Sequence, residues 1–307
     1  MAEMTLKIGG HAFKNPVFTA SGTFGYGDEY EDIFDPALLG AVCSKGLTRF
    51  PREGNAPPRL METPAGLLNS VGLQNMGIEP FICEKVPQLI EKGISVIANI
   101  AGHSTEEFAE MASLCNESPG ILAVELNVSC PNVKEGGMAF GIRRQSVSEI
   151  TGACRKALQK PLIVKLSPNV TDITEMAEAA LESGADALTV ANTLLGMAID
   201  VEKRAPAIHN VFAGLSGPAV KPVALRMVYQ VKKAFPHAVI LASGGIVSTR
   251  DALEFFMAGA SGIQIGTGLF RTPDLPLRII RGLEEFCDEN GMRTVSGLTG
   301  LAIKEMS

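Results

Sequence analysis

The chain has 307 residues, 46% of them hydrophobic, enough to bury a large core and to build one α/β barrel of about 250 residues with insertions. Its 27 basic and 33 acidic side chains leave a formal charge of −6. No Lys/Arg stripe with interleaved aromatics occurs, so nucleic acid is not an expected partner. No apolar run reaches the roughly 18 residues that cross a bilayer, and residues 1–7 lack a signal-peptide apolar region. The cysteines Cys43, Cys83, Cys115, Cys130, Cys154 and Cys287 contain no Cys-x-x-Cys pair that would suggest zinc or an iron–sulfur cluster. A cytoplasmic chain with no membrane segment and no metal site is expected, its cysteines inert core thiols apart from Cys130.

In chain order, short apolar runs at 17–20, 41–44, 94–100, 121–127, 162–166, 187–191, 238–242 and 262–266 read as strands. Helical patterns lie between them near 78–92, 104–117, 146–158, 171–184, 219–235 and 249–259, with a last one at 274–290. Ser104-Thr105-Glu106-Glu107 and Thr171-Asp172-Ile173-Thr174-Glu175 carry side chains able to cap free helical amides. Apolar strands without polar alternation are covered on both faces, as parallel strands are. Eight βα units then predict a single (β/α)₈ barrel over residues 1–307, with loops inserted at the C-terminal face of the strands. A doubly wound sheet is the competing fold.

A barrel places its active site at the C-terminal ends of its strands. The residues there are Ser21, Lys45, Asn99, Asn127, Lys165, Asn192, Gly244-Gly245 and Gly266-Thr267, all polar or glycine. Aiming them into one mouth is costly unless a polar ligand pairs with them. The glycine turns after strands 7 and 8 suit phosphate bound through backbone amides, and no Gly-x-Gly-x-x-Gly fingerprint follows a strand. A mononucleotide cofactor across the barrel is the reading these features favour. Lys165 would then neutralise charge on a flavin ring near N1; alternatively it is a Schiff-base nucleophile of an aldolase, or it pairs structurally with a neighbouring acid. Cys130, three residues beyond Asn127, could be a nucleophile or a general base. A phosphate-binding barrel without catalysis is a further alternative.

The linked set Asn127-Val128-Ser129-Cys130-Pro131-Asn132, Ser44-Lys45-Gly46, Asn69-Ser70-Val71-Gly72-Leu73-Gln74-Asn75, Lys165-Leu166-Ser167-Pro168-Asn169, Asn192-Thr193 and Gly266-Thr267 resembles the dihydroorotate dehydrogenase family over essentially the whole chain. Cysteine at position 130 resembles class 1, and Val133-Lys134-Glu135-Gly136-Gly137-Met138-Ala139-Phe140-Gly141 resembles its NAD⁺-dependent 1B type; the fumarate-dependent 1A type is the nearest alternative.

This resemblance implies oxidation of dihydroorotate to orotate in pyrimidine synthesis, with Cys130 as the base at C5 and FMN as hydride acceptor. It implies substrate contacts from Lys45, Asn69, Ser70, Val71, Gly72, Leu73, Asn127, Asn192 and Thr193, with Asn132 as a further one. FMN contacts are implied for Ser21, Lys45, Gly46, Asn99, Asn127, Lys165, Ala191, Gly217, Gly244, Gly245, Gly266 and Thr267. A partner subunit carrying FAD and a [2Fe–2S] cluster is implied as well, in a heterotetramer built on a homodimer of this chain.

Overall fold

A computed structural model describes residues 2–128 and 140–303. Eight parallel strands make the central sheet: β1 (Val17–Thr19), β2 (Val42–Cys43), β3 (Val96–Ile100), β4 (Ile121–Asn127), β5 (Leu162–Lys165), β6 (Ala187–Val190), β7 (Ile240–Ser243) and β8 (Gly262–Ile265). Their order is β1-β8-β7-β6-β5-β4-β3-β2. A parallel bridge between Phe18 and Ala41, with Gly40 N–H donating to Val17 O at 2.9 Å, brings the first strand against the second. The sheet closes into the predicted barrel.

The helices outside it are α1 (Val86–Glu91), which ends a helical stretch beginning at Ile78, then α2 (Thr105–Glu117), α3 (Arg144–Ala157), α4 (Ile173–Glu182), α5 (Lys221–Ala234), α6 (Thr249–Ala258), α7 (Gly268–Arg271) and α8 (Leu275–Glu289). Both expected caps form: Ser104 Oγ accepts from Glu107 N at 3.2 Å, and Asp172 Oδ1 from Thr174 N at 2.8 Å. The outward strand residues, among them Val96, Val124, Val164 and Leu188, pack with helix residues such as Phe108 and Phe255 in the main core. Phe108 is fully buried there, so Phe108→Ala is expected to cost about 3–5 kcal/mol, read as a shift in urea midpoint with an unchanged slope.

Because side chains alternate along a strand, every second residue points into the barrel, and these fall into two layers. The lower layer is apolar: Phe18, Cys43, Ile97, Ala123, Ile163, Ala187 and Leu241 cluster with Leu6, Ile8 and Phe13. The latter three come from an N-terminal hairpin, Leu6–Ile8 paired with His11–Phe13. Its Gly9-Gly10 turn has φ of 52° and 82°, the positive values that a tight two-residue hairpin turn needs. The upper layer is polar and equally buried, with Asn99, Glu125, Lys165, Thr189, Ser243 and Gln264. The expectation of strands without polar alternation is therefore corrected: the inward residues change from apolar to polar toward the C-terminal end.

The insertions expected at that end carry a sheet of their own. Leu194–Met197, Phe212–Ser216, Gly66–Asn69 and Leu60–Thr63 form an antiparallel sheet in that order, joining the chain after β2 to the chain after β6. Cysteines 43, 115, 154 and 287 are buried as expected, whereas Cys83 is exposed on the helical stretch before α1.

Candidate active site

All eight barrel strands run the same way, so the predicted residues arrive at one end of the barrel. Ser21 follows β1, and Lys45 with Gly46 follows β2. Asn99 lies within β3, Asn127 ends β4 and Lys165 ends β5. Ala191, Asn192 and Thr193 follow β6, Gly244-Gly245 follows β7 and Gly266-Thr267 follows β8. Asn69 ends an inserted strand with Ser70, Val71, Gly72 and Leu73 behind it, and Gly217 directly follows the inserted strand Phe212–Ser216. Cys130 and Asn132 lie outside the described residues.

Three groupings are visible. Asn192 Nδ2 donates to Asn127 Oδ1 at 3.2 Å, and Asn192 Oδ1 accepts from Thr193 N at 2.8 Å. Asn69 Nδ2 donates to Gly214 O at 3.1 Å, and a Cβ built on Gly214 would fall 2.3 Å from Thr193 Oγ1. The insertion sheet thus brings Asn69 beside Thr193 across a glycine that leaves room for both. In the second grouping, a Cβ on Gly46 would lie 2.8 Å from Leu73 Cδ2 and 3.2 Å from Asn99 Oδ1, which places the loop after β2, the segment after Asn69 and the inside of β3 together. In the third, Thr267 Oγ1 donates to Ser216 Oγ at 2.7 Å, and a Cβ on Gly245 would come 2.9 Å from Gly217 O.

Electrostatics centre on a residue absent from the sequence-based set. Glu125, two residues before Asn127 on β4 and hence on the same inward face, is fully buried. Its Oε1 accepts from Asn99 Nδ2 at 2.6 Å and from Cys43 Sγ at 3.4 Å, and lies 3.7 Å from Lys165 Nζ. Its Oε2 accepts from Thr189 Oγ1 at 2.6 Å and Gln264 Nε2 at 2.5 Å. Burial alone would raise this carboxyl's pKa; the Lys165 ammonium and the hydrogen bonds from Thr189, Gln264 and Asn99 outweigh it and hold the pKa below the usual value. Burial pushes the Cys43 thiol well up, and Glu125 adds to that. Lys45 is lowered by burial, opposed by Glu29 and assisted by Arg59. Of the readings open for Lys165, the pairing with a neighbouring acid is met by Glu125 at 3.7 Å.

The site fits a mononucleotide. Asn99 Oδ1 is buried without a hydrogen-bond partner, a state worth about 1–3 kcal/mol of penalty unless a donor meets it, and its Nδ2 is already committed to Glu125. The turns Gly244-Gly245 and Gly266-Thr267 lie side by side at the ends of the neighbouring strands β7 and β8, an arrangement of backbone amides suited to an anion. Gly244 and Gly245 adopt φ of 138° and 76°, values open to glycine and rare for other residues. Among the described residues no group of three or more His, Cys, Asp or Glu is placed to hold a metal ion.

A family model described as Dihydroorotate dehydrogenase matches residues 3–287. The chain is 51% identical over 298 residues to a protein of Pelobacter propionicus, covering 97% of this chain and 98% of that one. It is 52% identical over 297 residues to one of Trichlorobacter lovleyi, covering 97% of each. It is 49% identical over 300 residues to one of Bacteroides thetaiotaomicron, covering 98% of this chain and 99% of that one. Each of the three is named dihydroorotate dehydrogenase B (NAD(+)), catalytic subunit. A polar barrel mouth built from the residues the motifs pointed to, together with a match over nearly the full length, makes the assignment: the chain belongs to the dihydroorotate dehydrogenase family.

Proposed function

We infer that the chain, as a single cytoplasmic barrel domain, oxidises (S)-dihydroorotate to orotate in pyrimidine synthesis and passes the electrons through a partner subunit to NAD⁺. The observation that carries this is the convergence of Asn69, Asn127, Asn192 and Thr193 beside a buried Lys165–Glu125 pair. Dihydroorotate is a small ring with a carboxylate, two carbonyls and two N–H groups, and asparagine offers a donor and an acceptor on one amide to such an edge. Lys45, with Ser70, Val71, Gly72 and Leu73 behind Asn69, completes the substrate pocket.

FMN is the cofactor, held by Ser21, Lys45, Gly46, Asn99, Asn127, Lys165, Ala191, Gly217, Gly244, Gly245, Gly266 and Thr267. When bound it supplies, at N5, the acceptor for the hydride that leaves C6 of the substrate. The protein's own part is to orient the ring and to remove the C5 proton, which falls to the Cys130 thiolate. The backbone of the two glycine turns would receive the phosphate, and Lys165 would supply positive charge near N1.

The names of the relatives support a second subunit, since each is called a catalytic subunit. The chain has neither a dinucleotide fingerprint nor clustered cysteines, so FAD and a [2Fe–2S] cluster belong to that partner, in a heterotetramer on a dimer of this chain. The purified chain is expected to be yellow and to be bleached anaerobically by dihydroorotate, with negligible NAD⁺ reduction until the partner is added. Protein that refuses FMN on reconstitution would end the flavin assignment; full-rate NAD⁺ reduction by the chain alone would end the partner assignment.

A further inference from the structure

We propose that Glu125 is the positioning residue of the flavin site: its carboxylate holds the Lys165 ammonium and the Asn99 amide on the side that would face the ring and offsets part of the charge of the former. This rests on the FMN reading above. Around Glu125 stand side chains from five other strands: Cys43 of β2, Asn99 of β3, Thr189 of β6 and Gln264 of β8 donate hydrogen bonds to it, and Lys165 of β5 pairs with it at 3.7 Å.

A ring made of donors demands an acceptor-only centre, which among buried side chains is an ionised carboxylate. Its consequence reaches the pocket. With Nδ2 committed to Glu125, Asn99 can turn only Oδ1 toward Gly46, where that atom remains buried and unpaired. Any ligand atom that meets it must be a donor, and the oxidised isoalloxazine ring has one, its N3–H. Fold stability does not explain the ion pair. One layer below, the same barrel interior is filled by Ile97, Ala123, Ile163, Ala187 and Leu241, and a buried pair is seldom more stabilising than such packing.

A bound flavin would therefore meet a lysine whose charge is offset by a carboxylate and not a lone cation. Removing the carboxylate should favour the reduced, more anionic ring. In mildly acidic buffer, Glu125→Gln in the full chain should bind reduced FMN relative to oxidised FMN about tenfold more favourably than the unsubstituted chain, the scale of one uncompensated charge nearby, seen as an upward shift of the midpoint potential. Glu125→Asp, which keeps the charge, should stay near the unsubstituted value.

Should Glu125→Gln fail to fold, Lys165→Met supplies the second measurement. Alone it should lower the same ratio by a similar factor, and Lys165→Met with Glu125→Gln together should restore it. An unchanged ratio in FMN-loaded Glu125→Gln, or a double variant no different from Lys165→Met, overturns the proposal. Failure of the unsubstituted chain to take up FMN would instead overturn the flavin reading on which it stands.

Discussion

Alanine at position 130 is expected to slow the anaerobic reduction of bound FMN by dihydroorotate by about 10²–10⁴, the usual worth of a positioned base, while the protein stays yellow. The two effects separate because most of the groups proposed to hold FMN sit on other strands, among them the turns after β7 and β8 and Lys165 of β5. Cys130 follows Asn127, the last residue of β4, by three positions, and the intervening Val128 is buried. The chain resumes against the same point, since a Cβ on Gly141 would lie 2.8 Å from Val128 O. Val128 and Gly141, the described residues on either side of position 130, thus meet at the mouth end of β4, where Asn192 donates to Asn127. A cysteine near its ordinary pKa of about 8.5 is mostly protonated at neutral pH, so the reduction rate of the unsubstituted chain should climb about tenfold per pH unit below that value and then level off. Stopped-flow absorbance gives both numbers. A Cys130→Ala protein that reduces at the normal rate removes the thiol from the chemistry, and one that loses its flavin assigns the thiol to the fold.

How legible all this was depended on what each feature asks of neighbouring residues. The barrel strands could be read because both of their faces are covered, and a run such as Ile121-Leu122-Ala123-Val124 announces that locally. The strand-end residues followed from the barrel geometry alone. The insertion sheet stayed hidden because its strands are short and half-exposed, with a glycine in three of the four, and because its order joins segments more than a hundred residues apart. Glu125 stayed hidden for a different reason: one carboxylate inside an apolar run looks like an irregularity until its partners are known, and those partners lie on five other strands. A period-of-two reading back from the strand ends would have exposed it. Asn127, Lys165 and Gly266 mark the inward face, and two steps back from the first and last of these stand Glu125 and Gln264. Two steps before Ala191 stands Thr189. The three are hydrogen-bonded together in the structure.

Valine at position 245 is expected to weaken FMN binding by about 10²–10⁴, the result of losing two charge-assisted hydrogen bonds worth about 1.5–3 kcal/mol each. Gly245 has φ of 76°, a genuine outlier for a β-branched residue. A Cβ there would stand 2.8 Å from Lys221 Cβ and 2.9 Å from both Gly217 O and Lys221 N. Lys221 cannot retreat freely, because its ammonium is tied to Asp251 at 2.5 Å and Glu254 at 2.9 Å, and Asp251 also accepts from Val247 N and Ser248 Oγ. The turn must move instead, carrying the Gly244-Gly245 backbone away from where the phosphate would bind. Such a variant also loses fold stability, so the sharper control is Gly266→Ala. There a Cβ would meet Ala20 Cβ at 3.4 Å and nothing closer, an ordinary contact that the apo-protein should tolerate with its melting temperature unchanged. If the backbone at Gly266 is approached by phosphate, that added methyl group must still weaken FMN, because it intrudes on the ligand and not on the protein. Fluorescence titration of both apo-proteins with FMN settles the matter: unaltered affinity in Gly266→Ala means that no anion comes close to the turn after β8, and the phosphate would then have to be sought elsewhere in the mouth.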